Sequence, residues 1–109
     1  MSEYKEISYE EYWDLQDRTG AYLVLYSGGT KEWYLNGKRH REDGPAIEYS
    51  EEDKEWYLHG ERHREDGPAV EWGDGDKEWY LHGKRYETEE EWAFALYELK
   101  IKEIKDLVV

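Results

Sequence analysis

The chain has 109 residues, a formal net charge of −13 and no cysteine, which bounds it to one domain with neither a disulfide framework nor a thiolate zinc site. Apolar content is low at 38%, but eleven Tyr and six Trp supply large contact areas, so the chain does not belong with intrinsically disordered sequences. The acidity opposes nucleic acid and anionic lipid and favours basic partners. No segment is apolar enough to span a bilayer. The start, Met1-Ser-Glu-Tyr-Lys5, lacks the basic and apolar regions of a signal peptide, so the expected compartment is the cytoplasm.

Residues 1–20 predict a short helix within Tyr9–Arg18. Ser8 is its N-cap, Glu11 completes a capping box, Ile7 can staple onto Tyr12, and Gly20 is placed to end it. Such a helix would cover the first sheet edge. Tyr22–Ser27 is the most apolar strand. Shifted by 23 residues it aligns with Ala46–Tyr49, and Leu25 falls where Glu48 stands, so this strand should be covered on both faces.

From Lys31 the chain repeats itself. Lys31–Tyr49 returns as Lys54–Trp72 with fifteen of nineteen positions identical, and a third copy, Lys77–Tyr86, then stops. A fixed 23-residue period marks a repeat architecture in which each unit is covered by its neighbour. In each unit a strand (Lys31–Leu35) places Trp33 and Leu35 on one face and Glu32 and Tyr34 on the other. Asn36-Gly37, His59-Gly60 and His82-Gly83 are hairpin turns. Lys38–Arg41 can add a short strand, Asp43-Gly44-Pro45 breaks regularity, and Ala46–Tyr49 returns. Ser50–Asp53 and Gly73–Asp76 turn into the next unit.

After Thr88 the pattern becomes helical. Thr88 and Glu91 form a second capping box, and Trp92, Leu96, Leu99, Ile101, Ile104 and Val108 make a broad apolar arc to cap the last unit. The expected fold class is therefore mainly β (α+β). It is an antiparallel β-hairpin repeat meander of about eight strands, with a short N-terminal helix (1–20), repeats over 21–87 and a C-terminal capping helix (88–109).

Trp33-Tyr-Leu-Asn-Gly-Lys-Arg-His40, with its 23-residue period and the later Gly44, resembles the MORN repeat. The runs His40–Ala46 and His63–Ala69 resemble a MORN-like variant found in bacteriophage and giant-virus proteins. The resemblance covers roughly residues 20–87. It implies hairpin ribbons that bind proteins or lipids rather than enzymes, and the charge of this chain departs from the family in a way that opposes lipid.

The residues themselves argue against catalysis. Arg39, Arg62 and Arg85, Glu42 and Glu65, and Asp43 and Asp66 all recur at the repeat period, whereas an enzyme site is a single constellation. Recurrence points to packing, with Arg41 and Arg64 pairing to nearby carboxylates and carrying the elbow before Gly-Pro. His59 and His63 are four apart, but Gly60 and the hairpin turn argue against the helix that would align them on a metal. No metal or other cofactor is expected. Two rows are candidate binding surfaces: the carboxylates Glu32, Glu55 and Glu78 with Glu48 and Glu71 on neighbouring strands, and the aromatics Tyr34, Tyr57 and Tyr80. A regular carboxylate row on a rigid ribbon resembles a nucleic-acid backbone and would compete for a basic cleft.

The expected function is non-enzymatic protein binding to a basic host surface, that of a nucleic-acid-handling protein, with no direct contact to nucleic acid or membrane. Joined to the phage resemblance, this implies an acidic accessory protein that inhibits a host defence protein, in the manner of an anti-CRISPR protein, acting in the host cytoplasm. The alternative is a structural or scaffolding repeat that self-associates or binds glycan through exposed aromatics. The sequence leaves the oligomeric state open.

Overall fold

Asn36-Gly37, His59-Gly60 and His82-Gly83 each place two successive residues at positive φ, with 51° and 81°, 50° and 84°, and 48° and 83°. That pair is what a two-residue type I′ turn needs, and its twist matches the flanking strands. The computed structural model describes residues 3–107. It begins with β1 (Lys5–Ser8), α1 (Tyr9–Asp14) and β2 (Ala21–Leu25). The first repeat supplies β3 (Lys31–Leu35), β4 (Lys38–Arg39) and β5 (Ile47–Glu48). The second supplies β6 (Lys54–Glu55), β7 (Tyr57–Leu58), β8 (Glu61–Arg62) and β9 (Val70–Glu71). The third gives β10 (Lys77–Leu81) and β11 (Lys84–Tyr86), and α2 (Glu89–Leu107) follows.

The main sheet has nine strands in the order β1-β2-β3-β5-β6-β9-β10-β11, with β4 attached to β3, while β7 and β8 form a separate hairpin. Pairing is antiparallel except for β1 with β2. The register sets Glu32 opposite Ile47, Ile47 opposite Glu55, Glu55 opposite Val70 and Val70 opposite Glu78. Beside that line, Lys31, Glu48, Lys54, Glu71 and Lys77 face one another in alternating charge. Successive hairpins are tied by Gly60 N–H to Arg39 O (2.8 Å) and Gly83 N–H to Arg62 O (2.9 Å). The product is a flat slab of 44 × 40 × 23 Å.

The core is divided into three small clusters, one per repeat interval. Val24 with Tyr34, Ile47 with Tyr57 and Val70 with Tyr80 are buried in turn, the last two pairs joined by Ala46 and Ala69. Val24, Ile47 and Val70 are 23 residues apart, so one position of the repeat supplies the aliphatic centre each time. Fully buried Tyr12 of α1 adds to the first cluster, with Ile7 and Leu15 against it.

The mainly β fold with hairpin repeats, a short N-terminal helix and a C-terminal helix is the one the period dictates, but both ends depart in detail. α1 starts as expected, with Glu11 N–H donating to Ser8 Oγ at 3.1 Å. It stops at Asp14 rather than near Gly20, because Arg18 donates to the terminal carbonyls of Tyr12 (3.1 Å) and Trp13 (2.7 Å). Gly20, at φ 104°, instead opens β2, exchanging bonds with Asn36. The first sheet edge is covered by strand β1, and α1 lies on a face. Lys5-Glu-Ile-Ser8 holds one apolar residue, too few to announce a strand.

At the other end Thr88 Oγ1 accepts from Glu91 N–H at 3.1 Å, as the capping box requires. The expected single apolar arc is split. Trp92 is buried and Leu96 and Leu99 are half-buried, whereas Ile104 is exposed. Val108 lies outside the described residues.

The turns yield a direct expectation. A side chain at Gly37, Gly60 or Gly83 must adopt a left-handed conformation, so each Gly→Ala should cost about 1 kcal/mol or more, read as a lower thermal midpoint.

Candidate functional site

The expected carboxylate row is not a surface. Glu32 and Glu55 are only 5% and 3% exposed and Glu78 is half-buried. Tyr34, Tyr57 and Tyr80 are buried beside them. Both candidate rows therefore point inward, and they satisfy each other. Glu32 accepts from the hydroxyls of Tyr26 and Tyr34, the latter at 3.0 Å, and from Arg39 at 3.1 Å. Glu55 accepts from Tyr49 (2.7 Å), Tyr57 (2.9 Å) and Arg62 (3.0 and 3.1 Å). Glu78 accepts from Tyr80 (3.0 Å), and Trp72 stands where the earlier units have Tyr26 and Tyr49, donating its indole N–H at 2.9 Å. A carboxylate is bearable in the interior only when so enclosed.

The charges register this environment. Burial alone would raise the Glu55 carboxyl, but the bonds from Tyr49, Tyr57 and Arg62 outweigh it and hold it below its ordinary 4.5. Glu78 is held down in the same way by Trp72 and Tyr80. A hydroxyl donating to such a carboxylate moves oppositely: burial and the Glu32 carboxylate push the Tyr26 hydroxyl up to about 12.

Glu48 and Glu71 reach the opposite face, and there they are neutralised. Arg41 donates to Glu48 (3.1 Å), to Pro45 O (3.1 Å) and to Asp43 (3.2 Å). Arg64 repeats the set with Glu71 (2.9 Å), Pro68 O (3.0 Å) and Asp66 (2.8 Å). The two guanidiniums lie 3.9 Å from the Trp33 ring and 3.8 Å from the Trp56 ring. Gly44 and Gly67 leave room beneath them: a Cβ would meet the guanidinium carbon at 2.9 and 2.8 Å, and the arginine would have to shift. In the third unit Glu87 replaces this arginine, and Trp92 of α2 packs on Trp79 at 4.8 Å instead. The elbows flank a cavity of about 590 Å³ floored by Trp56 and Leu58.

The histidines are turn clamps. His40 Nδ1 accepts from His59 N–H at 2.9 Å and His63 Nδ1 from His82 N–H at 2.8 Å, so each buried imidazole fixes the next hairpin turn. Their Nε2 atoms face Glu42 and Glu65. Burial, outweighing the Glu65 bond, lowers the His63 pKa. No group of three metal-ligating side chains occurs among the described residues, and no helix there is long and apolar enough to cross a membrane.

One concentration of unpaired negative charge lies on the turns between repeats. Ser50–Asp53 packs on Gly73–Asp76, with Gly73 N–H donating to Asp53 Oδ1 at 2.5 Å. Among the described residues Glu51, Glu52, Asp53, Asp74 and Asp76 enter no salt bridge. All but half-buried Asp53 are exposed. Between the turns is a cavity of about 510 Å³ lined by Glu51, Glu52, Asp53, Asp74 and the half-buried Trp72. This acidic ledge is the candidate site, and in the sequence its residues read only as turns. The available signal was that no Arg recurs beside Ser50–Asp53, whereas Arg accompanies every repeated carboxylate of the strands and elbows.

No protein-family model, curated protein or solved structure matches the chain.

Acid should unfold the protein in two stages. His63 has a folded pKa below 6.5, so its contribution is complete above about 6.5 and is lost as pH falls through the folded value. Glu55 and Glu78 contribute above about 4.5 and lose that contribution as pH falls further. Denaturant midpoints from pH 8 to 3 should decline gently and then steeply. Glu55→Gln, which leaves Arg62 without its anion, should cost about 2–3 kcal/mol at pH 7 and flatten the steep stage.

Proposed function

We propose that the protein is a non-enzymatic binding module whose partner presents a basic surface of the kind that holds nucleic acid. The observation that carries this reading is the ledge: Glu51, Glu52, Asp74 and Asp76 exposed, without a cation of their own, on a rigid paired-turn edge around Trp72. A fixed cluster of unpaired carboxylates raises the local field and steers a cationic partner, at a distance limited by a screening length of about 8 Å at physiological salt. Trp72 supplies an apolar anchor of the type that concentrates binding energy. The MORN-like character of the repeat and the phage setting that it implies make inhibition of a host nucleic-acid-handling or defence protein the sharper form of the proposal. Glycan binding through the tyrosine row finds no support, because Tyr34, Tyr57 and Tyr80 are buried against carboxylates.

The test is affinity capture from a bacterial lysate, followed by titration of the captured partner at low and high salt with nucleic acid as competitor. Wild-type binding should weaken steeply with salt and be displaced by nucleic acid. Glu51→Lys, Glu52→Lys and Asp76→Lys together should abolish it. Because these side chains are exposed and unpaired, the melting temperature should hardly move. Binding that ignores salt and survives the triple change would exclude the ledge.

A further inference from the structure

α2 is apolar on two opposite sides. At about 100° per residue, Trp92, Leu96 and Leu99 share the side that meets the repeats. There Trp92 is buried on Trp79 and donates to Arg64 O at 3.3 Å, and Lys100 Nζ stands 2.5 Å from Glu65. Phe94, Tyr97, Ile101 and Ile104 occupy the other side. Phe94 and Tyr97 are each 63% exposed and Ile104 is 56% exposed, with Ile101 half-buried between them. Their spacing of three, four and three is the seam spacing of a coiled coil. A solvated helix needs one apolar stripe to dock on its own domain, and the repeats already use it.

We infer that this second stripe is the interface with a second copy of the chain, the two α2 helices lying antiparallel across a two-fold axis near Leu99. Three features select that occupant and orientation. The three-four-three spacing reads the same from either end, so a two-fold sets Phe94 against the other copy's Ile104 and Tyr97 against its Ile101, a ring on an aliphatic each time. The helix is electrically polar: Glu89, Glu90, Glu91 and Glu98 lie in its first half, which holds no Lys or Arg, whereas in its second half Lys100, Lys102 and Lys105 outnumber Glu103 and Asp106. Antiparallel pairing brings Glu91 beside Lys105 twice, while parallel pairing would stack the glutamates. The helix dipoles also oppose favourably in that arrangement.

The exposed stripe and neighbouring Leu107 offer on the order of 500 Å² per chain, so pairing would bury on the order of 1,000 Å² in total, where specific interfaces begin. The interface is isologous and closes at two copies. α2 contacts the elbow end of the repeats, through Arg64 and Glu65, and the acidic turns are at the other end of the short strands. The dimer therefore leaves both ledges free.

Sedimentation velocity across about 1–500 μM should show the 13.2 kDa chain giving way to a species of twice that mass. Tyr97→Glu with Ile104→Glu, both on the exposed side, should keep the melting temperature and the Trp near-UV signal while remaining monomeric. The absence of cysteine makes the orientation testable. Glu98→Cys, near the axis, should oxidise to a linked dimer. Lys105→Cys alone should not, but should cross-link when mixed with Glu91→Cys. A wild-type chain monomeric at every concentration, or a double variant that still dimerises, would overturn the proposal. Efficient self-linking of Lys105→Cys would overturn the antiparallel arrangement.

Discussion

The first two repeats are each built around a carboxylate that is almost shut off from water, and the third around half-buried Glu78. Ionised in an apolar interior, Glu32 or Glu55 would cost several kcal/mol, and the fold is the arrangement that removes that cost. A hydroxyl donor from six residues before, another from two residues after and a guanidinium from seven residues after must converge on it. The first comes from just past the end of the preceding strand, the second from the same strand and the third from beyond the hairpin turn. Satisfying the carboxylate therefore fixes strand register, turn length and hairpin closure together. A one-residue slip would turn the Glu-x-Tyr pair to the opposite face and break the set. The third unit shows what is tolerated: Trp72 replaces a tyrosine because an indole N–H is an equivalent donor.

The same constraint sorts the surface. Arg39 and Arg62 on the inner face are spent on buried Glu32 and Glu55, and Arg41 and Arg64 on the outer face are held by the elbows. The exposed strand lysines, Lys31, Lys54 and Lys77, alternate with Glu48 and Glu71. At the turn edge Glu51, Glu52, Asp74 and Asp76 are left exposed and enter no salt bridge among the described residues.

Between units the coupling is short-ranged. A histidine ring of one repeat holds the turn N–H of the next, a backbone bond ties neighbouring hairpins, and the apolar clusters remain small and separate. Stability is then a sum of local units and interfaces, as in other linear arrays. The ends need their own solutions. β1 and α1 close one, with Tyr12 in the first cluster, and Trp92 closes the other by taking the place over Trp79 that an arginine fills elsewhere.

Much of this was legible in the residues. The 23-residue identity set the unit, Asn-Gly and His-Gly set the turns, and the two capping boxes set where the helices start, because these features act through local backbone geometry. The alternation Glu32-Trp33-Tyr34 told which side chains share a face. It could not tell that the Glu32 and Tyr34 side faces the apolar clusters, since the Trp33 and Leu35 side is the more apolar of the two. That choice was made by tertiary contacts: Arg39 arrives from across the turn and Tyr26 from the previous strand, turning an apparently solvated glutamate into the centre of the core. β1 escaped notice because its stability comes from pairing with β2, and α1 ended early because Arg18, folding back from the loop, caps it. The free carboxylates of the ledge and the outward stripe of α2 are likewise remainders. Composition fixes how much charge and apolar area the chain carries, but only packing decides which of it is left without a partner.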